Sequence, residues 1–353
     1  MKTLTEPVKR ELEQVMLPLI RALHRRIRAE VLAACRREAT ETLSRVAAEE
    51  GGDTIYAIDK VSEALLLEEL GRAAAGVGGM VLVAEGLPEG VVVLPEGTEA
   101  AQARYRVIVD PIDGTRGLMY QKRSAWVLTG VALNRGDATS LSDIVLAVQT
   151  EIPTLKQYLC DELEAVRGGG VRARRVDILR GTEETLAVSP SRATGIEHGY
   201  AMLSRFFPGA RDELAAIDEE VVKEVLGPPR AGRAACFEEQ YASSGGQLYE
   251  LMIGHDRFNA DLRPLLEQLL RSRGEPPGLY CHPYDVCTAL IAEEVGVIVT
   301  APDGSPLDVP LSVDAPVAWV GYANERLRAL IEPVLRRALE RRGLLLPATS
   351  STR

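Results

Sequence analysis

The run Arg106-Val107-Ile108-Val109-Asp110-Pro111-Ile112-Asp113-Gly114-Thr115 carries the densest chemistry in the chain. An apolar strand ends in two aspartates three positions apart, with a proline to stiffen the turn and a glycine and a hydroxyl residue behind them. Carboxylates fixed at a strand end can share a hard divalent cation, and a glycine lets backbone N–H groups come close to an oxyanion. The same letters also suit a β-turn whose aspartates cap the next helix. Three further acids occupy comparable places. Glu85 follows the expected strand Met80–Ala84, Asp59 lies between the apolar segment Thr54–Ile58 and an expected helix, and Asp285 falls in the first turn of a helix after His282-Pro283-Tyr284. Singly each reads as a cap or surface acid. Together they read as a metal and phosphate site.

The elements that must position these acids follow from periodicity. Leu12, Val15, Met16, Leu19, Ile20, Leu23, Ile27, Val31 and Ala34 recur at helical steps, which predicts a helix from residue 8 to about 48. Its other face carries Arg25, Arg26, Arg28, Arg36 and Arg37 interleaved with Glu11, Glu13, Glu30 and Glu38, a solvated face. A second helix is expected over Lys60–Ala75, followed by strands at Met80–Ala84, Val91–Leu94, Arg106–Asp110, Trp126–Leu133 and Ile144–Gln149. The composition changes at Arg167-Gly168-Gly169-Gly170, and a new strand is expected at Thr185–Ser189. Beyond it, helices are expected at 196–205, 211–226, 244–253, 284–295 and 323–342, and strands at 257–262 and 296–300. The fold class is therefore α/β, with an α+β N-terminal half and an α/β C-terminal half. The expected domains are 1–175 and 176–345, with a disordered tail at 346–353.

Composition narrows the function. The 353 residues carry 41 basic and 51 acidic side chains, a net charge of −10, and only 5% are aromatic. There is neither a basic field nor a set of stacking platforms to hold nucleic acid. An acidic chain that handles an anion must gather positive charge locally, and bound cations do so most compactly. Cys35, Cys160, Cys236, Cys281 and Cys287 are odd in number and scattered, which argues against a disulfide framework or a structural zinc. No apolar run approaches the roughly 18 residues of a membrane span, and the first residues have no signal-peptide core, so a cytoplasmic protein is expected. His24, His198, His255 and His282 lack ligand spacing.

Taken in order, Ile55-Tyr56-Ala57-Ile58-Asp59, Glu85, the Asp110–Thr115 loop, Tyr284-Asp285-Val286-Cys287-Thr288-Ala289 and Glu294-Val295-Gly296 resemble the inositol monophosphatase and fructose-1,6-bisphosphatase superfamily of magnesium-dependent phosphatases. The resemblance covers about residues 55–310 and implies a layered αβαβα sandwich. It further implies that Glu85, Asp110 and the carbonyl of Ile112 hold one Mg²⁺, and that Asp110, Asp113 and Asp285 hold a second. Thr115 with Asp59 would orient and deprotonate the attacking water. Gly114 and Thr115 would face the phosphate, Ser244 and Gly245 would touch phosphate or sugar, and Asp261 would accept from a substrate hydroxyl. The sequence departs from the family in places. Gly86 stands where a second acid is usual and no lysine lies at the usual place before Asp59, so a third Mg²⁺ is left as an open alternative. Leu262–Tyr280 is longer than in inositol phosphatases, and its Arg263, Arg271 and Arg273 could hold a second phosphate. The expected activity is Mg²⁺-dependent hydrolysis of a small inositol, sugar or polyol phosphate by a homodimer. The alternatives are a sugar bisphosphatase, a 3′-phosphoadenosine nucleotidase, or a regulatory binding protein that keeps the fold.

Overall fold

The computed structural model describes residues 4–37, 46–50, 53–56 and 59–346, with the backbone path alone given for 46–50, 53–56, 59–63 and residue 88. The N-terminal apolar stripe forms α1 (Glu6–Glu11), a π-helical stretch (Leu12–Met16) and α2 (Leu17–Arg37). The helix expected to reach about residue 48 is replaced before that point by β1 (Val46–Glu50), which pairs antiparallel with β2 (Asp53–Tyr56). Glu50 pairs with Asp53, a strand pairing that local helical periodicity could not reveal. Helix α3 (Asp59–Ala74) follows.

Eight strands then build the main sheet: β3 (Met80–Ala84), β4 (Val91–Leu94), β5 (Tyr105–Asp113), β6 (Ala125–Leu133), β7 (Ile144–Ile152), β8 (Leu159–Val166), β9 (Val171–Asp177) and β10 (Thr182–Thr185). Their order is β10-β9-β8-β7-β6-β5-β3-β4, antiparallel throughout except for the parallel pair β3 and β5. Strands β8 and β9 are absent from the sequence reading because charge, not apolar alternation, fills them. Glu162 and Glu164 are buried on β8 and pair with Arg174 and Arg172 of β9 and with Arg21, Arg25 and Arg28 of α2. The glycines 168–170 join two strands of one sheet, and Glu294 accepts from Gly168 N and Gly170 N at 2.7 and 2.9 Å. Strand β10 ends at Thr185, where a new strand was expected to begin, so this sheet runs ten residues past position 175.

The second sheet has the order β11-β12-β14-β13, from β11 (Tyr200–Leu203), β12 (Asp256–Asp261), β13 (Ile298–Thr300) and β14 (Trp319–Tyr322). A helix was expected at 196–205. His198 at φ 61° breaks any helix there, and Ala201, Met202 and Leu203 are buried beside β12 instead. Helices α4 (Thr115–Met119), α5 (Arg211–Leu226), α6 (Ser244–Met252), α7 (Glu267–Ser272), α8 (Ala289–Val295) and α9 (Glu325–Arg341) complete the chain. One apolar core lies between α1–α3 and the main sheet, through Ile20, Leu23, Ile27, Val107, Val109 and Val127. The other joins the opposite face of that sheet to α6, α8 and the second sheet, through Ile108, Leu128, Leu248, Ile291 and Val320. The result is helices, sheet, helices, sheet and helices in layers. Among the described residues no helix is long and apolar enough to cross a membrane.

Candidate metal and phosphate site

Backbone alternation on β5 sets up the site. Tyr105, Val107 and Val109 pack toward α2 while Ile108 packs on the opposite face, and Asp110 continues the phase of Ile108. Three positions further along a regular strand, Asp113 would turn to the other face. The pairing slips instead: Asp110 lies opposite Leu128 and Asp113 opposite Trp126, so three steps on β5 meet two on β6. This bulge at Pro111-Ile112 brings both carboxylates into one cleft. Asp285 arrives from the second half in the 3-10 turn Pro283–Val286, where it accepts from His282 N at 2.6 Å. One carboxylate oxygen from each of Asp110, Asp113 and Asp285 lies within 4.8 Å of the others.

The electrostatics of the triad call for a cation. Burial, reinforced by the charges of Asp113, Asp285 and Glu85, pushes Asp110 well above the usual carboxylate range, and the Ile112 N–H at 3.0 Å offsets only part of this. Burial raises Asp113 to about 6, opposed by the Ser243 hydroxyl and the Gly245 N–H, both 2.7 Å from Oδ2. All the donors are hard oxygens. The neighbouring thiols of Cys281 and Cys287 are pushed well above their ordinary values by burial and so remain neutral. Such a donor set fits Mg²⁺ or a similar divalent cation and offers little to a soft one.

The other expected residues are distributed around this triad. Glu85, directly after β3, lines the same cleft but stands outside the tight group of three. The Ile112 carbonyl accepts from the Thr115 hydroxyl at 2.7 Å. Gly114 caps α4 at φ 92°, a conformation glycine alone adopts freely, and a Cβ there would meet Ser243 Cβ at 3.0 Å. Asp59 is the first residue of α3; its side chain lies outside the described residues. Ser244 lines the cleft, with its hydroxyl 3.6 Å from Cys281 Sγ. Gly245 works one layer back, donating to Asp113, and a Cβ on it would sit 2.8 Å from that carboxylate.

Asp261 does not face the cleft as expected. It is fully buried, and Arg263 occupies both its oxygens, Nε to Oδ1 at 2.9 Å and Nη2 to Oδ2 at 2.5 Å. Arg263 is the member of this pair that lines the cleft, stacked at 4.4 Å on Phe206 and 5.2 Å on Phe207. Arg116 lies at 4.8 Å on Phe207 and lines the same cleft. Arg271 pairs instead with Glu267, and Arg273 with Asp212 at 3.0 Å.

Sequence reasoning missed Arg116, Phe206 and Phe207. Arg116 directly follows the Asp110–Thr115 loop, and a Phe-Phe pair before Pro208-Gly209 is an unusual loop composition, so both left a signal. It also missed Gln149, fully buried, which donates to Gly245 O at 2.8 Å and accepts from Thr288 at 2.9 Å. That amide ties α6 and the turn bearing Asp285 to β7.

No protein-family model matches the chain. No curated protein sequence matches it either. Solved structures do match. Leishmania major fructose-1,6-bisphosphatase aligns with a TM-score of 0.65 at 14% identity, over 93% of this chain and 95% of that one. The extragenic suppressor protein SuhB from Bartonella henselae aligns with a TM-score of 0.62 at 15% identity, over 92% and 99%. The MJ0109 gene product, an inositol monophosphatase–fructose 1,6-bisphosphatase, aligns with a TM-score of 0.59 at 15% identity, over 90% and 98%. At these identities the likeness is one of fold. The chain has the inositol monophosphatase-like sandwich that its motifs implied.

Proposed function

We propose that this protein is a divalent-cation-dependent phosphatase acting on a small phosphate monoester. The observation that carries the reading is the bulge of β5, which sets Asp110 and Asp113 on one face beside Asp285 from the other half. Asp110, Asp113, Asp285, Glu85 and the Ile112 carbonyl would hold Mg²⁺, two ions by the expected ligand sets. Bound there, the cations would supply positive charge to the attacking and leaving oxygens of the ester. The chain's own groups do the rest. Ser243 and Gly245 fix one oxygen of Asp113 and leave the other to the cleft. Gly114 and Thr115 line the place for the phosphate, and Thr115 with Asp59 would take the proton from the attacking water. The deciding experiment is phosphate release from inositol, sugar and nucleoside phosphates with Mg²⁺ and with EDTA, on the parent and Asp113→Asn. Release that needs Mg²⁺ and is lost in the variant is expected. A folded parent that releases no phosphate from any of them would leave a binding protein that keeps the fold.

A second reading within the class rests on Arg116 and Arg263. Two guanidinium groups at one cleft suit a substrate with a further anionic group, as in a sugar bisphosphate or a phosphoadenosine phosphate. Arg263 commits three of its five N–H groups, to Asp261 and to the Leu279 carbonyl, which leaves two uncommitted. A homodimer in the cytoplasm completes the proposal, and a monomer mass by light scattering would remove the first of these two points.

A further inference from the structure

On the other side of β6 from the acids lies a separate cavity of about 490 Å³, in the size range of small-molecule sites. Three almost wholly buried rings stand behind it. Trp126 and Tyr249 rings stand 4.5 Å apart, and the Tyr241 hydroxyl accepts from Trp126 Nε1 at 2.8 Å and donates to Ser124 O at 2.7 Å. Hydrogen bonds tie its walls together, with the Ser124 hydroxyl 2.6 Å from Glu151 Oε1 and 3.2 Å from Gln157 Oε1.

Two of the cations at this cavity stand without an ion-pair partner among the described residues. Arg175 is spent on Asp161 at 2.8 Å, and Arg123 on Glu250 at 2.7 Å and Glu239 at 3.2 Å. Glu151, the remaining acid, is pushed above its ordinary value by burial and accepts from Ser124 and from Asp161 N. Lys122 and Lys156 line the cavity with no acid partner among the described residues. Gln157 Oε1 already accepts from Thr154 N and Thr154 Oγ1, at 3.0 and 2.8 Å, while its amide nitrogen has no acceptor among the described residues. The mouth thus offers two ammonium groups and one amide nitrogen without partners among the described residues, and the rings behind it are almost wholly buried.

We infer that this cavity is a second ligand site, distinct from the metal cleft, for a small organic anion. Its phosphate or carboxylate oxygens would face Lys122, Lys156 and Gln157, with Tyr241 and Tyr249 beneath its carbon skeleton. The wall also borders the metal site. Trp126 is the cross-strand partner of Asp113, and Tyr241 is two residues before Ser243, which bonds that carboxylate. A ligand that moves Trp126 or Tyr241 would be felt at Asp113.

Trp126 supplies the readout. In a Trp319→Phe background it is the sole tryptophan, and in EDTA the metal cleft has no cation to attract an anion. Titration with glucose 6-phosphate, citrate and inorganic phosphate is expected to give a saturable change in emission for at least one organic anion, with a Kd of about 1 mM or lower. A response to both glucose 6-phosphate and citrate would show that the site reads charge, and a response to one alone names phosphate or carboxylate as the head group. Lys122→Glu with Lys156→Glu, two exposed positions, should weaken the binding at least tenfold. The result does not depend on phosphatase activity, so it stands or falls separately from the proposed function. No saturable change up to about 10 mM, or equal binding by the double variant, would overturn the site. So would a dimer that the double variant dissociates while neither form binds an anion, because the cavity would then be half of an interface between copies.

Discussion

Asp113 shows how one side chain links acidity to cation binding. Its folded value of about 6 lies above the ordinary 3.8, so the folded state holds the proton more tightly than the unfolded chain does. In EDTA this group's contribution to stability is therefore full below about pH 3.8 and is lost as pH rises from there through about 6. Magnesium competes for the same oxygens and reverses the trend. The gain in Tm on adding Mg²⁺ is expected to be large at pH 8 and to shrink at pH 5.5, and Asp113→Asn should lose part of this pH dependence, with Asp110, also raised, keeping the rest. Melting curves at the two pH values with and without Mg²⁺ check this. Arg263 offers a second test at this scale. Arg263→Ala should lower kcat/KM on a substrate with two anionic groups by about 1.5–3 kcal/mol and change an aryl monophosphate little. It should also lower stability, because Asp261 is left buried without its partner. Equal losses on both substrates would make Arg263 a structural residue alone.

At the scale of elements, α2 is held on the main sheet by more than apolar packing. His24 is fully buried there, with Nε2 2.7 Å from the Thr129 hydroxyl and Nδ1 3.0 Å from that of Thr150. Burial lowers its pKa to about 3, so it stays neutral where an unfolded histidine would protonate. Stability should then fall as pH drops below about 6.5, by about 1.4 kcal/mol per pH unit. His24→Gln keeps a polar group between the two hydroxyls but cannot titrate, so its denaturant midpoint should vary less between pH 7 and 5 than that of the parent. An identical slope in both proteins would show that another group controls acid unfolding in this range.

The same scale explains what could be read from the letters alone. The acids Asp110, Asp113 and Asp285 and the helices 211–226 and 244–253 were legible because strand ends, caps and apolar stripes are local signals. The bulge was not. A spacing of three says that two strand residues face apart, and only the register with β6 reverses it. Strands β8 and β9 were hidden for a related reason, since their buried Glu162 and Glu164 are made tolerable by arginines from a helix more than a hundred residues away. Asp261 was misplaced because a partner two residues on, Arg263, took its lone pairs. Partnerships set by tertiary structure leave little trace in sequence.

For the whole molecule, the two halves meet at like charges. Asp110 and Asp113 end a strand of the first sheet, Asp285 belongs to the second half, and Gln149 with Ser243 and Gly245 stitches the halves together around them. Without a cation the acids push against that stitching. With one, the repulsion becomes a latch, and the seam should breathe less often. Amide hydrogen exchange would report this directly: Mg²⁺ should slow deuterium uptake at Gly245 and in residues 284–286, while strands β8 and β9, far along the sheet and closed by their own ion pairs, should exchange at an unchanged rate.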